Sequence, residues 1–280
     1  MPLPDYLVNN SFRINELPHQ ELGPWGAQYN AKEFHNFPVV QELNERFPQR
    51  TIQREDIVNL FLENRPYLAF VAAMVWGYIN ATRPREQGGG PQDTNFYCML
   101  AHGEQNVLKA IESAQQHLQK GDFTTPFKDM MPNGVHRIPG VGYAYFTKLF
   151  FFLGQSDDEV KIKPLIFDKW TSNAFCALLS QSDPKCVKNY FNGLKQSAGN
   201  INPGRAIVGL GQNLVKAYES YVLYMNEWAT ELGVPPGRLE EFVFGSHLGH
   251  NNADTNPRRE LWDIAINNAR ICGLGIRYNN

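Results

Sequence analysis

Three kinds of residue in this chain are placed to do chemistry. The first is an acid. Asp168 follows the apolar approach Lys163-Pro164-Leu165-Ile166-Phe167 and stands directly before a helical run that opens with Lys169-Trp170. An aspartate there caps the first helical amides, which is a common structural duty. The same position favours the ionised carboxylate by about 0.3–1 kcal/mol through the helix dipole. An ionised acid held beside a sugar can steady a developing oxocarbenium cation or orient a water. The second is a glycine turn 26 residues upstream, Ile138-Pro139-Gly140-Val141-Gly142, which runs straight into Tyr143-Ala144-Tyr145-Phe146-Thr147-Lys148. Two glycines around one apolar residue let bare backbone N–H groups approach a phosphate, and the helix start adds its positive end. The third is Lys148. In a helix this apolar a solitary ammonium needs a partner, unless its stem packs on Tyr145 and Phe151 and its charge reaches the surface.

The elements that must position these groups read as helices. Residues 1–50 are rich in Pro, Asn and Gln and suggest an irregular arm with short helices, wrapped on the body by Phe12, Trp25, Tyr29, Phe34 and Phe37. Arg54–Glu63 is helical, and Asn64 is a candidate cap for a next helix over about 66–80, which is apolar all round and therefore buried. Thr82–Asp93, with three consecutive glycines, is a loop of the kind that is often functional. Residues 103–120 are amphipathic, with Val107, Leu108, Ile111, Ala114 and Leu118 on one face. Asp168 leads a helix to about Ser180, and Asp183-Pro184 predicts the start of another. Leu214, Tyr218, Tyr221, Met225, Trp228 and Leu232 recur by fours and threes, and Gly233 closes that run. Arg238–Phe244 and Pro257–Cys272 are the last two helices. Alternating strand patterns are scarce, so the fold class is all-α.

Composition narrows the partners. The formal net charge is -2, but from Arg137 to Arg205 nine Lys/Arg oppose five Asp/Glu, against 17 and 23 elsewhere. One basic face on a mildly acidic chain suits an anionic partner bound in one place. Cys98, Cys176, Cys186 and Cys272 match no zinc or iron–sulfur spacing and no dense disulfide frame, which predicts a reduced, cytoplasmic setting. No signal peptide is evident, and the longest apolar run, Tyr67–Ile79, falls short of the roughly 20 residues a bilayer requires. There is no P-loop, no His-Glu-x-x-His and no zinc deaminase signature. Gly209/Gly211 and Gly273/Gly275 repeat the Gly-x-Gly spacing without a dinucleotide fingerprint. No cofactor and no metal are expected.

Ile138-Pro139-Gly140-Val141-Gly142 followed by Pro164 and Asp168 resembles the helix-hairpin-helix DNA glycosylase superfamily. Phe146-Thr147-Lys148 is similar to a run in its bacterial 8-oxoguanine-glycosylase-like branch. The resemblance covers about residues 55–245, and only the hairpin and the aspartate are specific. It implies two helical lobes with the hairpin at the cleft between them: a middle lobe over 52–155, and a second formed by 1–51 with 156–280. It also implies double-stranded DNA with a modified base as the partner, a monomer, and no membrane association. The hairpin, through Ile138, Gly140, Val141 and Gly142, with Lys169, would hold the backbone. Asp168 would act on a nucleotide flipped from the duplex, since a base cannot be reached inside it.

The chain departs from the pattern in two places. Proline and acid stand further apart than is usual, and the position of the Schiff-base lysine of bifunctional members is Ala144. Lys148 lies one turn later, ~5.4 Å along the helix, which implies hydrolysis without strand cleavage, with Lys148 lining the pocket. Trp76, Tyr78, Trp170 and Phe244 are candidates to stack on a flipped base, although aromatics at helical spacing more often pack a core. Glu240 and Glu241 could accept hydrogen bonds from a base, against the ordinary role of glutamates on a helix surface. Arg83, Arg85 or the glycine loop could fill the gap in the duplex. The same branch is similar to an anti-phage glycosylase that removes glucosylated hydroxymethylcytosine, so a hypermodified phage cytosine is the expected base. Oxidised-purine repair and a non-catalytic DNA-binding module are the alternatives.

Overall fold

The computed structural model describes residues 1–17, 27–197, 207–209, 213–245 and 256–279. Among them the chain is mostly helical, as expected. The helices are α1 (Asp5–Asn9), α2 (Ser11–Asn15), α3 (Pro38–Arg46), α4 (Arg54–Leu62), α5 (Pro66–Trp76), α6 (Asn95–Ala101) and α7 (Glu104–Gln119). They continue as α8 (Thr124–Met130), α9 (Tyr143–Ser156), α10 (Lys169–Ser182), α11 (Leu214–Leu232), α12 (Pro236–Phe244) and α13 (Pro257–Ala269). A small sheet, absent from the expectation, joins β1 (Phe191–Ser197), β2 (Ile207–Gly209) and β3 (Gly275–Asn279) in the order β2-β1-β3. β1 runs antiparallel to β2 and parallel to β3. Among the described residues no helix is long and apolar enough to cross a membrane.

The chain forms two compact units, Gln20–Pro164 and Met1–His19 with Leu165–Asn280. The boundaries differ from 52–155. Residues 27–51 go with the middle of the chain, because Tyr29 and Phe34 are fully buried and set their rings edge-on to Phe96 at 5.1 and 4.9 Å. Residues 1–17 go with the C-terminal part. There Trp228 Nε1 donates to Pro2 O at 3.2 Å, Arg238 Nε donates to Ile14 O at 3.2 Å, and Arg13 pairs with Glu260 at 3.0 Å. Phe12 is 69% exposed and wraps onto nothing. Trp25 lies outside the described residues.

Within Gln20–Pro164, α5 is buried on all sides from Leu68 to Trp76, as its continuous apolar sequence requires. Its neighbours are α3, α4, α7 and α9. Asn64 is not the cap of α5. It takes the left-handed conformation at φ 57° and closes α4, with Arg65 N donating to Leu60 O at 2.9 Å and Asn64 N to Phe61 O at 3.0 Å. That is a Schellman closure, in which asparagine tolerates the αL position. In the other unit, the helix expected after Asp183-Pro184 does not form. The Asp183 side chain accepts from Lys185 N at 3.1 Å and Cys186 Sγ at 2.8 Å, and this local turn diverts the chain into a 3-10 turn and β1. A carboxylate that can satisfy its own following amides competes with helix initiation rather than ensuring it.

Gly154, near the end of α9, lets the chain return closely enough to set up the approach to Asp168. A Cβ there would lie 2.3 Å from Pro164 Cδ and 2.6 Å from Cγ. A proline ring cannot swing aside, so Gly154→Ala is expected to destabilise the protein by about 1–3 kcal/mol in urea unfolding. Unchanged or increased stability would contradict this packing.

Candidate functional site

The hairpin lies in the Gln20–Pro164 unit and connects α8 to α9. Gly140 sits at φ 83°, and a Cβ on it would fall 2.2 Å from Asn95 O. Both the left-handed backbone and the close approach to the start of α6 demand glycine there. Ile138 and Val141 are buried at 1% and 6% exposure, so their side chains anchor the turn while its backbone faces outward. Val141 N donates to Ile138 O at 3.1 Å. Gly142 caps α9 in an extended conformation, with no side-chain cap bond, and a Cβ there would meet nothing within 4 Å. Space is therefore open beside the first amides of α9, which the helix itself cannot satisfy.

Lys148 is buried at 7% exposure. Its Nζ donates to Ala144 O at 2.7 Å and lies 5.4 Å from the centre of the Tyr145 ring. The ammonium therefore turns back along its own helix instead of reaching the surface. The end of α5 makes room for it: a Cβ on Gly77 would stand 2.7 Å from Lys148 Cδ and Cε. Trp76 packs edge-on to Phe152 at 5.4 Å, with Arg54 at 5.2 Å over its ring, so its ring contacts are those of a core residue.

Tyr78 is different. α5 ends in a Schellman motif, with Tyr78 N donating to Val75 O and Ile79 N to Met74 O, both at 3.0 Å. Tyr78 holds the position usually given to glycine, at φ 56°, and is 53% exposed. Its carbonyl accepts from Tyr145 OH at 3.3 Å, which ties it to α9. In the following loop, Arg85 is engaged with Asp93 at 3.0 Å, and Asp93 also accepts from Glu86 N at 2.8 Å. These bonds, led by the Glu86 amide, hold the Asp93 carboxyl below its usual range.

Asp168 lies in the other unit. Phe167 is seated in the core 5.8 Å from Tyr218 and 5.2 Å from Tyr221, and so fixes the residue after it. Asp168 is the N-cap of α10. Oδ1 accepts from Trp170 N at 2.8 Å and Thr171 N at 3.1 Å, while Asp168 N donates to Thr171 Oγ1 at 2.9 Å. The resulting capping box locks the side chain. Among the described residues no hydrogen bond reaches Oδ2, although the side chain is 9% exposed. One oxygen is thus held by the helix and the other is left for something else.

In the same unit stand candidates named from the sequence, together with Tyr221 and Arg258, for which the sequence suggested no role at the site. Tyr221 is fully buried, and burial, together with the negative charges of Glu240 and Asp168, raises its hydroxyl pKa well above normal. Glu240 and Glu241, named as possible base contacts, are buried at 0% and 8% and so do not take the ordinary surface role of helix glutamates. Arg258, at the start of α13, lies 4.4 Å over the Trp170 ring and 4.3 Å over the Phe244 ring. Burial pulls its pKa down to about 10, opposed by the negative charge of Asp168, so it remains protonated at neutral pH. Lys169 is exposed, with Nζ 4.5 Å from the Trp170 ring centre. Trp170 and Phe244 therefore carry cations on their rings. Periodicity could not reveal Arg258, because it sits far along the chain in an ordinary amphipathic helix. Among the described residues no group of three or more His, Cys, Asp or Glu gathers as a metal centre requires.

A glycine turn opens α9 in one helical unit, and an aspartate caps α10 in the other. Residues 18–244 match the family described as "Putative 8-oxoguanine DNA glycosylase OGG-like protein", and the chain belongs to that family. No curated protein and no solved structure matches it.

Tyr78 provides a check on which positions serve function rather than folding. A non-glycine residue in this conformation costs about 1–2 kcal/mol. Tyr78→Gly is expected to raise stability by about 1 kcal/mol in thermal unfolding while weakening DNA binding. A loss of stability with binding intact would show that the ring serves packing.

Proposed function

We propose that this protein is a monofunctional DNA glycosylase that acts as a monomer on double-stranded DNA. It draws a modified nucleotide out of the duplex, releases the base by hydrolysis and leaves an abasic site. The observation that carries this is the divided carboxylate of Asp168, with Oδ1 fixed by two amides and Oδ2 uncommitted among the described residues. In this reading Oδ2 faces the deoxyribose. As the N-glycosidic bond breaks, its electron pair leaves with the base, and the negative charge steadies the oxocarbenium cation. A water held by Oδ2 then adds to C1′ and gives up its proton to the carboxylate. The turn from Ile138 to Gly142 and the ammonium of Lys169 grip the backbone. The family membership supports this chemistry.

Hydrolysis rather than amine attack is supported by α9. Ala144 stands where bifunctional relatives would have their lysine, and the ammonium of Lys148 is engaged as a donor to Ala144 O. A Schiff base needs a neutral amine with a free lone pair. Lys148 would instead line the base pocket, with its Nζ held on Ala144 O at 2.7 Å. Tyr78, which is 53% exposed, is the proposed stacking partner of the base on the unit that holds α9, whereas Trp76 is a core residue; Trp170, Phe244 and Glu240 are proposed base contacts on the other unit.

For the base itself we propose a hypermodified cytosine of phage DNA, glucosylated on its hydroxymethyl group, removed in anti-phage defence. A charged Lys148, at a position where eukaryotic-type oxidised-guanine enzymes have a small residue, supports a polar ligand. The family description supports a second reading, 8-oxoguanine repair. Incubation with glucosylated phage DNA and with an 8-oxoguanine duplex separates them. Abasic sites in the first alone are expected, and abasic sites in the second alone would end the phage reading. Asp168→Asn keeps a good N-cap, so the fold and DNA binding should persist while base release falls at least ~10²-fold. A wild type that binds DNA yet releases no base from either substrate would leave a non-catalytic binding module.

A further inference from the structure

Arg258 combines three features. Its guanidinium is immobilised: it lies 4.4 Å over the Trp170 ring and 4.3 Å over the Phe244 ring, and its Nε donates to Phe244 O. The backbone is held as well, with Arg258 N donating to Asn256 Oδ1 at 3.0 Å. The outer edge of the group is unused, since among the described residues neither Nη1 nor Nη2 makes a hydrogen bond. Finally, it is electrostatically coupled to Asp168 without being its ion-pair partner; no salt bridge within 4.0 Å joins the two. A structural counter-ion would close on the carboxylate. This fork is held rigid and, among the described residues, left open.

A guanidinium edge with two parallel N–H donors matches two oxygens on one phosphorus or one carbon. Its ordering cost has already been met by the two rings and the Phe244 carbonyl. Lys169 Nζ lies 4.5 Å from the same Trp170 ring and adds a second cation there, while Asp168 already takes the Trp170 and Thr171 amides at the amino end of α10. Trp170 links the parts, because its N–H holds Asp168 Oδ1 at 2.8 Å while its ring carries Arg258. Arg258 lies beyond the 18–244 match, so family membership assigns it no role.

We propose that Arg258 is a phosphate clamp: its Nη1–Nη2 edge takes the two nonbridging oxygens of one DNA phosphodiester next to the nucleotide that Asp168 addresses. The clamp rests on the glycosylase reading for its ligand. It fixes the backbone relative to Asp168 through the shared indole, which makes Arg258 a binding residue that also positions the acid's target.

The test reads binding. Fluorescence anisotropy is measured on a duplex carrying a tetrahydrofuran abasic site, from about 50 to 200 mM salt. Arg258→Met should weaken binding about tenfold or more and lower the slope of log K against log salt by about one. Arg258→Lys keeps the charge and loses the fork, so it should retain the slope and still bind several-fold more weakly. A set of duplexes with single neutral methylphosphonates then locates the contact. In the wild type one phosphate near the abasic site should be sensitive, and that sensitivity should shrink in Arg258→Lys and vanish in Arg258→Met. Should Arg258→Met fail to fold, the methylphosphonate profiles of wild type and Arg258→Lys decide alone. Identical profiles, or an unchanged salt slope in folded Arg258→Met, would overturn the clamp. None of these readouts needs base release. Coupling seen without release would retain the clamp and sink the glycosylase chemistry; release without coupling would sink the clamp alone.

Discussion

Two amide protons at the start of α10 hold one oxygen of Asp168, and the local chemistry follows from that restraint. A carboxylate on a free side chain samples several rotamers. This one is fixed by Trp170 N–H, by Thr171 N–H and by the return bond from its own amide to Thr171 Oγ1. Phe167, buried between Tyr218 and Tyr221, prevents the preceding backbone from shifting. The cap contributes about 1 kcal/mol of helix stability, yet it uses only part of the acceptor capacity of a carboxylate. What it leaves is a defined negative charge with one oxygen in reserve. A group that must face a transient cation needs that kind of order in advance, because reorganisation during the reaction would cost rate.

The other unit solves a related problem with backbone instead of charge. Gly140 is required by its positive φ and by Asn95 O, 2.2 Å from where a Cβ would stand. Ile138 and Val141 sink their side chains, so the turn presents main chain. Nothing within 4 Å would meet a side chain at Gly142. The apolar faces of α9 hold that turn in place through Phe146, set 4.9 Å from Phe127. Lys148, alone among these aromatics, is directed inward along its own helix and not to solvent.

Much of this was legible in the residues. Periodicity located α7 and α11 to within a residue or two among the described positions, because a one-sided apolar stripe has a single stable use. The cap at Asp168 and the glycine turn could be read because their geometry is local. The failures have a common cause. Asn64 and Asp183 both look like helix starters, yet Asn64 closes α4 and Asp183 satisfies Lys185 and Cys186 in a turn. A short polar side chain serves either end, and tertiary packing makes the choice. The three-stranded sheet escaped notice because β2 and β3 are short, and β3 pairs with β1 across more than 70 residues. Glu240, a candidate base contact in the sequence, is fully buried. Arg258 carried no signal, since only the folded chain brings it against Trp170 and Phe244.

The central claim is that the carboxylate of Asp168 opposes positive charge developing on a deoxyribose. Its most direct test uses duplex DNA in which the target sugar is replaced by a cationic pyrrolidine, with an uncharged tetrahydrofuran duplex as reference. The account predicts that the wild type binds the cationic duplex at least about 10²-fold more tightly than the neutral one, and that Asp168→Asn abolishes the difference while retaining affinity for the neutral duplex. Equal binding of the two duplexes by the wild type, or a preference that survives in Asp168→Asn, would contradict it.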